Sequence, residues 1–189
     1  MAAAQKLKQH ESKRYTYADY CTWDDDERWE LIDGVPYAMA APNRSHQRVL
    51  RDIALQIGSF LRGKTCEMFF APFDVRLNAD TFDNTVVQPD IMVFCDDSKL
   101  DDKGGKGAPD MAVEILSPSS ASHDAMRKYM LYMNVGVREY WIVDPATKTV
   151  VVHKLEDGTY RGTVYEQTEV VPVDIIEGLS VNLAEVFTS

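Results

Sequence analysis

The sequence contains no run of about 18 apolar residues, so it offers no candidate for a membrane-spanning helix. Cysteine is scarce: Cys21, Cys66 and Cys95 lie far apart, and no C-x-x-C pair occurs. That pattern fits reduced, buried thiols in a cytoplasmic protein better than a disulfide framework or a zinc knuckle. His10, His46, His123 and His153 are equally scattered, which argues against a structural zinc site. The lysines and glycines between Lys99 and Lys106 do not form a Walker loop, because G-x-x-x-x-G-K-[ST] is missing. There is no G-x-S-x-G and no Cys/His pairing to support a covalent nucleophile. A basic excess is lacking too: 20 Lys and Arg face 30 Asp and Glu, a net charge of −10. Nucleic-acid binders usually carry a basic footprint. A hydrolase that holds divalent cations, however, must cluster carboxylates, and a bound metal reverses the local sign.

What is present is ordinary globular composition, 45% hydrophobic and 26% charged over 189 residues, enough for one domain with a sizeable core. Residues 1–14, without the apolar core of a secretion signal, read as a flexible tail, and 15–189 as a single domain. No internal repeat or low-complexity linker divides the chain. Thr16 is a candidate N-cap for a short helix to about Trp23, and Asp33-Gly34 between apolar-rich arms signals a two-residue hairpin. Ser45 can cap a helix over His46–Leu61, whose Val49, Ile53, Ile57, Phe60 and Leu61 form one apolar stripe stopped by Gly63. Strands are expected near Cys66–Leu77, over Val86–Phe94 and over Met111–Leu116, with 103–107 as a flexible surface loop. Ser117-Pro118-Ser119-Ser120 leads into a helix over Ala121–Val135, with Met126, Tyr129, Met130 and Met133 among its apolar positions. A buried strand at Glu139–Val143, strands around the Asp157-Gly158 turn and a short helix from Leu183 complete an α-ββ-α-βββ-α-β-βββ order. This is mixed α/β, a sheet flanked by helices.

Four polar groups interrupt or follow apolar strands: Glu30, Asp90, Glu114 and Lys128. A carboxylate between aliphatic neighbours carries a large desolvation cost unless it is paired. Asp90 and Glu114 on neighbouring strands suggest a shared cation, and oxygen-only donors point to Mg²⁺ or Mn²⁺. In phosphodiester hydrolysis such an ion lowers the pKa of a bound water and stabilises charge growing on phosphate oxygens. A nearby lysine can orient the water or neutralise the transition state.

The series Glu30-Leu31-Ile32-Asp33-Gly34, Pro89-Asp90, Val113-Glu114-Ile115-Leu116-Ser117-Pro118-Ser119, Lys128 with Tyr132, then Gly136 through Pro145 strongly resembles the Uma-type endonuclease family. That family lies within the PD-(D/E)xK, restriction-endonuclease-like superfamily, and the resemblance spans about Tyr15 to the C-terminus. It implies a central mixed sheet with an αβββαβ core, preceded by an N-terminal helix and hairpin. It also implies Asp90 and Glu114 as metal ligands, the Ile115 carbonyl as a further ligand, and Glu30 as an acidic group from the N-terminal element. The implied substrate is DNA. A homodimer, in which two sites cut two strands, is expected only by analogy. One departure stands out: the superfamily lysine belongs two residues after the glutamate, where this chain has Leu116, and Lys128 on the following helix is the matching candidate.

Structural roles compete with each assignment. Asp90 could cap a loop or pair with an arginine, Glu30 could face solvent, and Lys128 could pair with Asp124 one turn earlier. Asp124 itself reads as structural, favoured by the helix dipole. His46 reads as a local cap or surface histidine rather than a phosphate contact. Tyr132 and Trp141 read as core aromatics, and Asp144 before Pro145 as a turn former. The displaced lysine and the acidic composition also admit a different function: a nuclease-fold module that binds nucleic acid or a protein partner without cutting.

Overall fold

The computed structural model describes residues 13–24, 27–117 and 123–188, and for residues 123–125 the backbone only. Most of the expected tail and the start of the helix after Ser117 lie outside the described residues. Helix α1 (Tyr17–Tyr20) is opened by a capping box. Thr16 Oγ1 accepts from the Asp19 N–H at 3.3 Å, and Asp19 Oδ2 accepts from the Thr16 N–H at 2.9 Å. The helix stops at Tyr20, three residues short of the expected end. Strands β1 (Trp29–Ile32) and β2 (Val35–Ala38) form the expected hairpin, with Asp33 and Gly34 at φ 50° and 76°. Both residues are left-handed, as a type I′ turn requires, and Gly takes that conformation without a Cβ penalty.

Helix α2 (Arg44–Leu61) is capped by Asn43 rather than Ser45: Asn43 Oδ1 accepts from the His46 N–H at 2.9 Å, so Ser45 already lies inside the first turn. Beyond it the chain divides between two sheets more often than its hydrophobic runs suggest. The segment expected as one strand near Cys66–Leu77 forms β3 (Glu67–Phe70) and β4 (Val75–Arg76). The segment expected over Val86–Phe94 forms β5 (Val86–Val87) and β6 (Ile91–Phe94), parted by Gln88-Pro89-Asp90. After a 3₁₀ turn at Asp97–Lys99 come β7 (Leu100–Asp101) and β8 (Gly104–Lys106). The expected surface loop is therefore partly sheet. Gly104 and Gly105 are buried because other chain segments press on them: a Cβ at Gly105 would lie 2.5 Å from the Phe94 ring.

Next come β9 (Met111–Ile115), α3 (His123–Val135), β10 (Glu139–Asp144), β11 (Thr149–Glu156), β12 (Thr159–Glu166), β13 (Val170–Pro172), β14 (Ser180–Asn182) and α4 (Leu183–Val186). The central sheet runs β12-β11-β10-β9-β6-β3. It is mixed: β9 and β10 are parallel, joined through α3, and the other pairs are antiparallel. The path α2-β3-β6-β9-α3-β10 realises the αβββαβ core. A second six-stranded sheet, β2-β1-β5-β4-β8-β7, and the small pair β13-β14 were not separable in the sequence.

Strand alternation sends successive side chains to opposite faces of the central sheet. Ile91, Val93, Met111, Val113, Ile115, Trp141 and Val143 pack with Val49, Ile53, Ile57 and Leu61 of α2 and with the C-terminal segment. Met92, Phe94, Ala112 and Tyr140 face Tyr132 and Val137 and, from the second sheet, Ile32, Val75 and Val87. Glu114 lies two residues beyond Ala112 and alternates with Val113 and Ile115, so it belongs to this second face. Met126 and Met130 of α3 are exposed instead of packed; the inward stripe of that helix runs through Lys128 and Tyr132.

Two further expectations change. Cys66 and Cys95 are joined in a disulfide, with Cα atoms 4.0 Å apart, and Cys21 is exposed. The pairing follows from register: Glu67 faces Phe94, so the next positions outward, 66 and 95, face each other despite 29 residues of separation. The thiols thus give no support to a reducing compartment. Among the described residues, no helix is long and apolar enough to cross a membrane.

Candidate active site

The site forms where the second sheet meets one end of the central sheet. Ile91 of β6 faces Val113 of β9, so one step outward Asp90 falls opposite Glu114, on the same face. Asp90 Oδ2 accepts from the Ile115 N–H at 2.7 Å and lies 3.1 Å from His46 Nε2. Glu114 Oε1 accepts from Lys128 Nζ at 2.9 Å and from the Tyr132 hydroxyl at 2.8 Å. Lys128 and Tyr132 are four residues apart on α3, which stacks them on one helix face and lets both reach one carboxylate. The second sheet supplies Glu30 from β1. Its Oε1 accepts from Lys128 Nζ at 2.9 Å and from the Gln88 N–H at 2.8 Å.

The structure therefore brings together Glu30, Asp90, Glu114, Ile115 and Lys128, although they come from β1, the link between β5 and β6, β9 and α3. Lys128 pairs with Glu30 and Glu114 and is 4% exposed at its side chain, against 3% for Glu30 and 14% for Glu114. Leu116, at the expected lysine position, directly follows β9, its N–H donating to the Val143 carbonyl at 2.8 Å. The ammonium reaches the site from α3 instead. Asp124 was the alternative partner for Lys128, and its side chain lies outside the described residues.

The roles of three residues in this neighbourhood were not read from the sequence. His46 is buried against Asp90, although its place at a helix start suggested a cap or a surface position. Gln88 is buried and locked: its Oε1 accepts from Arg28 at 2.6 Å, and its Nε2 donates to Asp74 at 2.8 Å. Tyr132 is core, as expected, but its hydroxyl also serves Glu114. The only local signal was position, since Gln88 precedes Pro89-Asp90 and His46 follows the Asn43 cap by three residues.

Burial pushes the Glu114 carboxyl up to about 8; Lys128 opposes this, while the charges of Asp90 and Glu30 add to it. Tyr132 is raised as well, by burial and by the charges of Glu114 and Glu30. Among the described residues, three acids thus face one ammonium, an imbalance that a divalent cation would relieve.

Among the described residues, no three of His, Cys, Asp and Glu are grouped as a metal site. The expected set needs only two such side chains, a carbonyl and water, and the donor chemistry fits it. Each carboxylate keeps an oxygen, Asp90 Oδ1 and Glu114 Oε2, that accepts no hydrogen bond among the described residues. Side-chain exposures of 16% and 14% make both residues largely buried with a small exposed fraction, and hard oxygen donors of this kind suit Mg²⁺ or Mn²⁺.

A mixed sheet with paired carboxylates at the end of adjacent strands, backed by a helix-borne lysine, defines a restriction-endonuclease-like nuclease fold. A solved structure from Anabaena variabilis, described as a putative nuclease belonging to DUF820, shares that fold. It has a TM-score of 0.74 at 20% identity, covering 92% of this chain and 97% of that one. The chain belongs to the Uma2 family, described as "Putative restriction endonuclease", whose model matches residues 16–184. An uncharacterized protein of Synechocystis is 26% identical over 155 residues, 80% of each chain.

Proposed function

We propose that the protein is a Mg²⁺- or Mn²⁺-dependent endonuclease that hydrolyses DNA phosphodiester bonds. The observation that carries this reading is Lys128 Nζ at 2.9 Å from both Glu30 and Glu114, beside an Asp90 that strand register places opposite Glu114. Asp90 and Glu114, with the Ile115 carbonyl, would hold the ion. When bound, it would supply an acidified water and neutralise charge on the scissile phosphate. Lys128 holds Glu114 and Glu30 in place and keeps positive charge where the phosphate gains negative charge. Glu30 orients Lys128 and is a candidate for positioning the attacking water. In the net reaction water adds to phosphorus, one ester P–O bond breaks, and the leaving oxygen takes a proton.

A homodimer and a cytoplasmic location belong to the same proposal. Alkylation of Cys66 and Cys95 in intact cells tests the location, since a reducing compartment predicts free thiols. The test of the activity is conversion of supercoiled plasmid, single-stranded DNA and RNA in Mn²⁺, Mg²⁺ or chelator. Cation-dependent DNA cutting is expected. The net charge of −10 favours a rival reading, a module that binds without cutting, and DNA binding with no strand cleavage under any cation would select it.

A further inference from the structure

Asp90 is gripped by one oxygen only. Its Oδ2 takes the Ile115 N–H at 2.7 Å and sits 3.1 Å from His46 Nε2, whereas Oδ1 accepts nothing among the described residues. His46 is the third residue of the 18-residue helix α2, and its side chain is 8% exposed. Its other ring nitrogen, Nδ1, is buried and has no hydrogen-bond partner among the described residues. An orphaned buried N–H is costlier and rarer than an orphaned acceptor lone pair. The proton therefore belongs on Nε2, pointing at Asp90, and Nδ1 is the bare acceptor. In that tautomer the ring donates to Oδ2 and cannot bind a cation through the same nitrogen.

We infer that His46 is a positioning residue. With the Ile115 N–H it fixes the Asp90 carboxylate so that Oδ1 alone is turned to the divalent cation. The inference rests on the metal-site reading above. Two donors on one oxygen prevent the carboxylate from rotating and lower the ordering cost when the ion arrives. They come from two different elements, β9 and α2, so the orientation of Asp90 is tied to the packing of that helix on the sheet. Partners of this kind are worth about 10- to 100-fold in metal affinity when removed.

The test is calorimetric titration of the whole protein with Mn²⁺ alone, with thermal unfolding of every variant as the folding control. Wild type, Asp90→Asn, His46→Leu, His46→Asn and His46→Gln are compared. Gln carries an amide N–H to about the position of Nε2, whereas Asn is too short to reach it. The expected order is wild-type binding, loss in Asp90→Asn, roughly 10- to 100-fold weakening in His46→Leu and His46→Asn, and recovery to within about 3-fold in His46→Gln. Wild-type affinity in either His46→Leu or His46→Asn would overturn the positioning role while leaving the metal site standing. Equal weakening in His46→Gln would overturn it too. Absence of Mn²⁺ binding by wild type, or full binding by Asp90→Asn, would remove the metal-site reading and the inference together.

Discussion

Replacing Lys128 by Met removes the one ammonium that Glu30 and Glu114 share while keeping the aliphatic stem and most of its volume. Two carboxylates are then left facing each other, at side-chain exposures of 3% and 14%. Breaking a buried ion pair by deleting one partner costs about 3–5 kcal/mol, because the surviving charge keeps its desolvation penalty. For a protein of this size that corresponds to a Tm lower by roughly 6–20 °C. The loss should depend on pH. Glu114 is already held above its ordinary range, and without Lys128 its folded-state pKa rises further. An acid whose folded pKa exceeds its unfolded value binds protons more readily when folded, so stability is kept at low pH and lost as pH rises through the folded pKa. Urea unfolding in chelator at pH 5.5, 7 and 8.5 should therefore show a deficit that is similar at the two lower pH values and larger at pH 8.5, where wild-type Glu114 ionises and the variant's does not. Adding Glu114→Gln should recover part of it. A deficit under about 1 kcal/mol at pH 8.5, or one that does not vary with pH, would refute the claim that Lys128 neutralises a buried acidic pair.

Wild type without metal should itself lose stability between about pH 5 and pH 9 by the same sign, with a flatter profile in Glu114→Gln; urea titrations across that range measure it. Saturating Mn²⁺ should stabilise wild type most at the alkaline end, where binding displaces no proton from Glu114. Reducing the Cys66–Cys95 disulfide, which closes a 29-residue separation, should lower stability by about 3–4 kcal/mol on the chain-entropy argument, and a stability curve with and without reductant checks it. Gly105→Ala should destabilise by about 1–3 kcal/mol, since its Cβ would fall 2.5 Å from the Phe94 ring; an unchanged Tm would contradict that packing.

Features set by local chemistry were legible in the chain. The Asp33-Gly34 turn needs residues that accept positive φ, and the apolar stripe of α2 needs nothing beyond its own periodicity. Asp90 and Glu114 were conspicuous because acids inside aliphatic strands demand a partner, and Lys128 because Leu116 left its role empty. Features set by distant segments were not legible. Nothing local distinguishes a strand that crosses between sheets from a longer one, so Val86–Phe94 read as continuous although its halves pair with β1 and β9. The Gly104–Gly105 pair read as loop because the reason for glycine there is a ring and a carbonyl from elsewhere in the chain. The Cys66–Cys95 bond depends on strand register, and His46 became part of the site only when α2 docked on the central sheet. Met126 and Met130 looked like core by composition, yet the inward face of α3 is spent on Lys128 and Tyr132.

The most direct test is strand cleavage of supercoiled plasmid in Mn²⁺ by wild type and Glu114→Gln purified side by side, both verified as folded. The account predicts nicking or linearisation by wild type, abolished by chelator and absent in the variant. Equal cutting by both proteins would contradict the assignment of Glu114 to the reacting centre. No cutting of DNA by wild type under any divalent cation would contradict the nuclease reading itself.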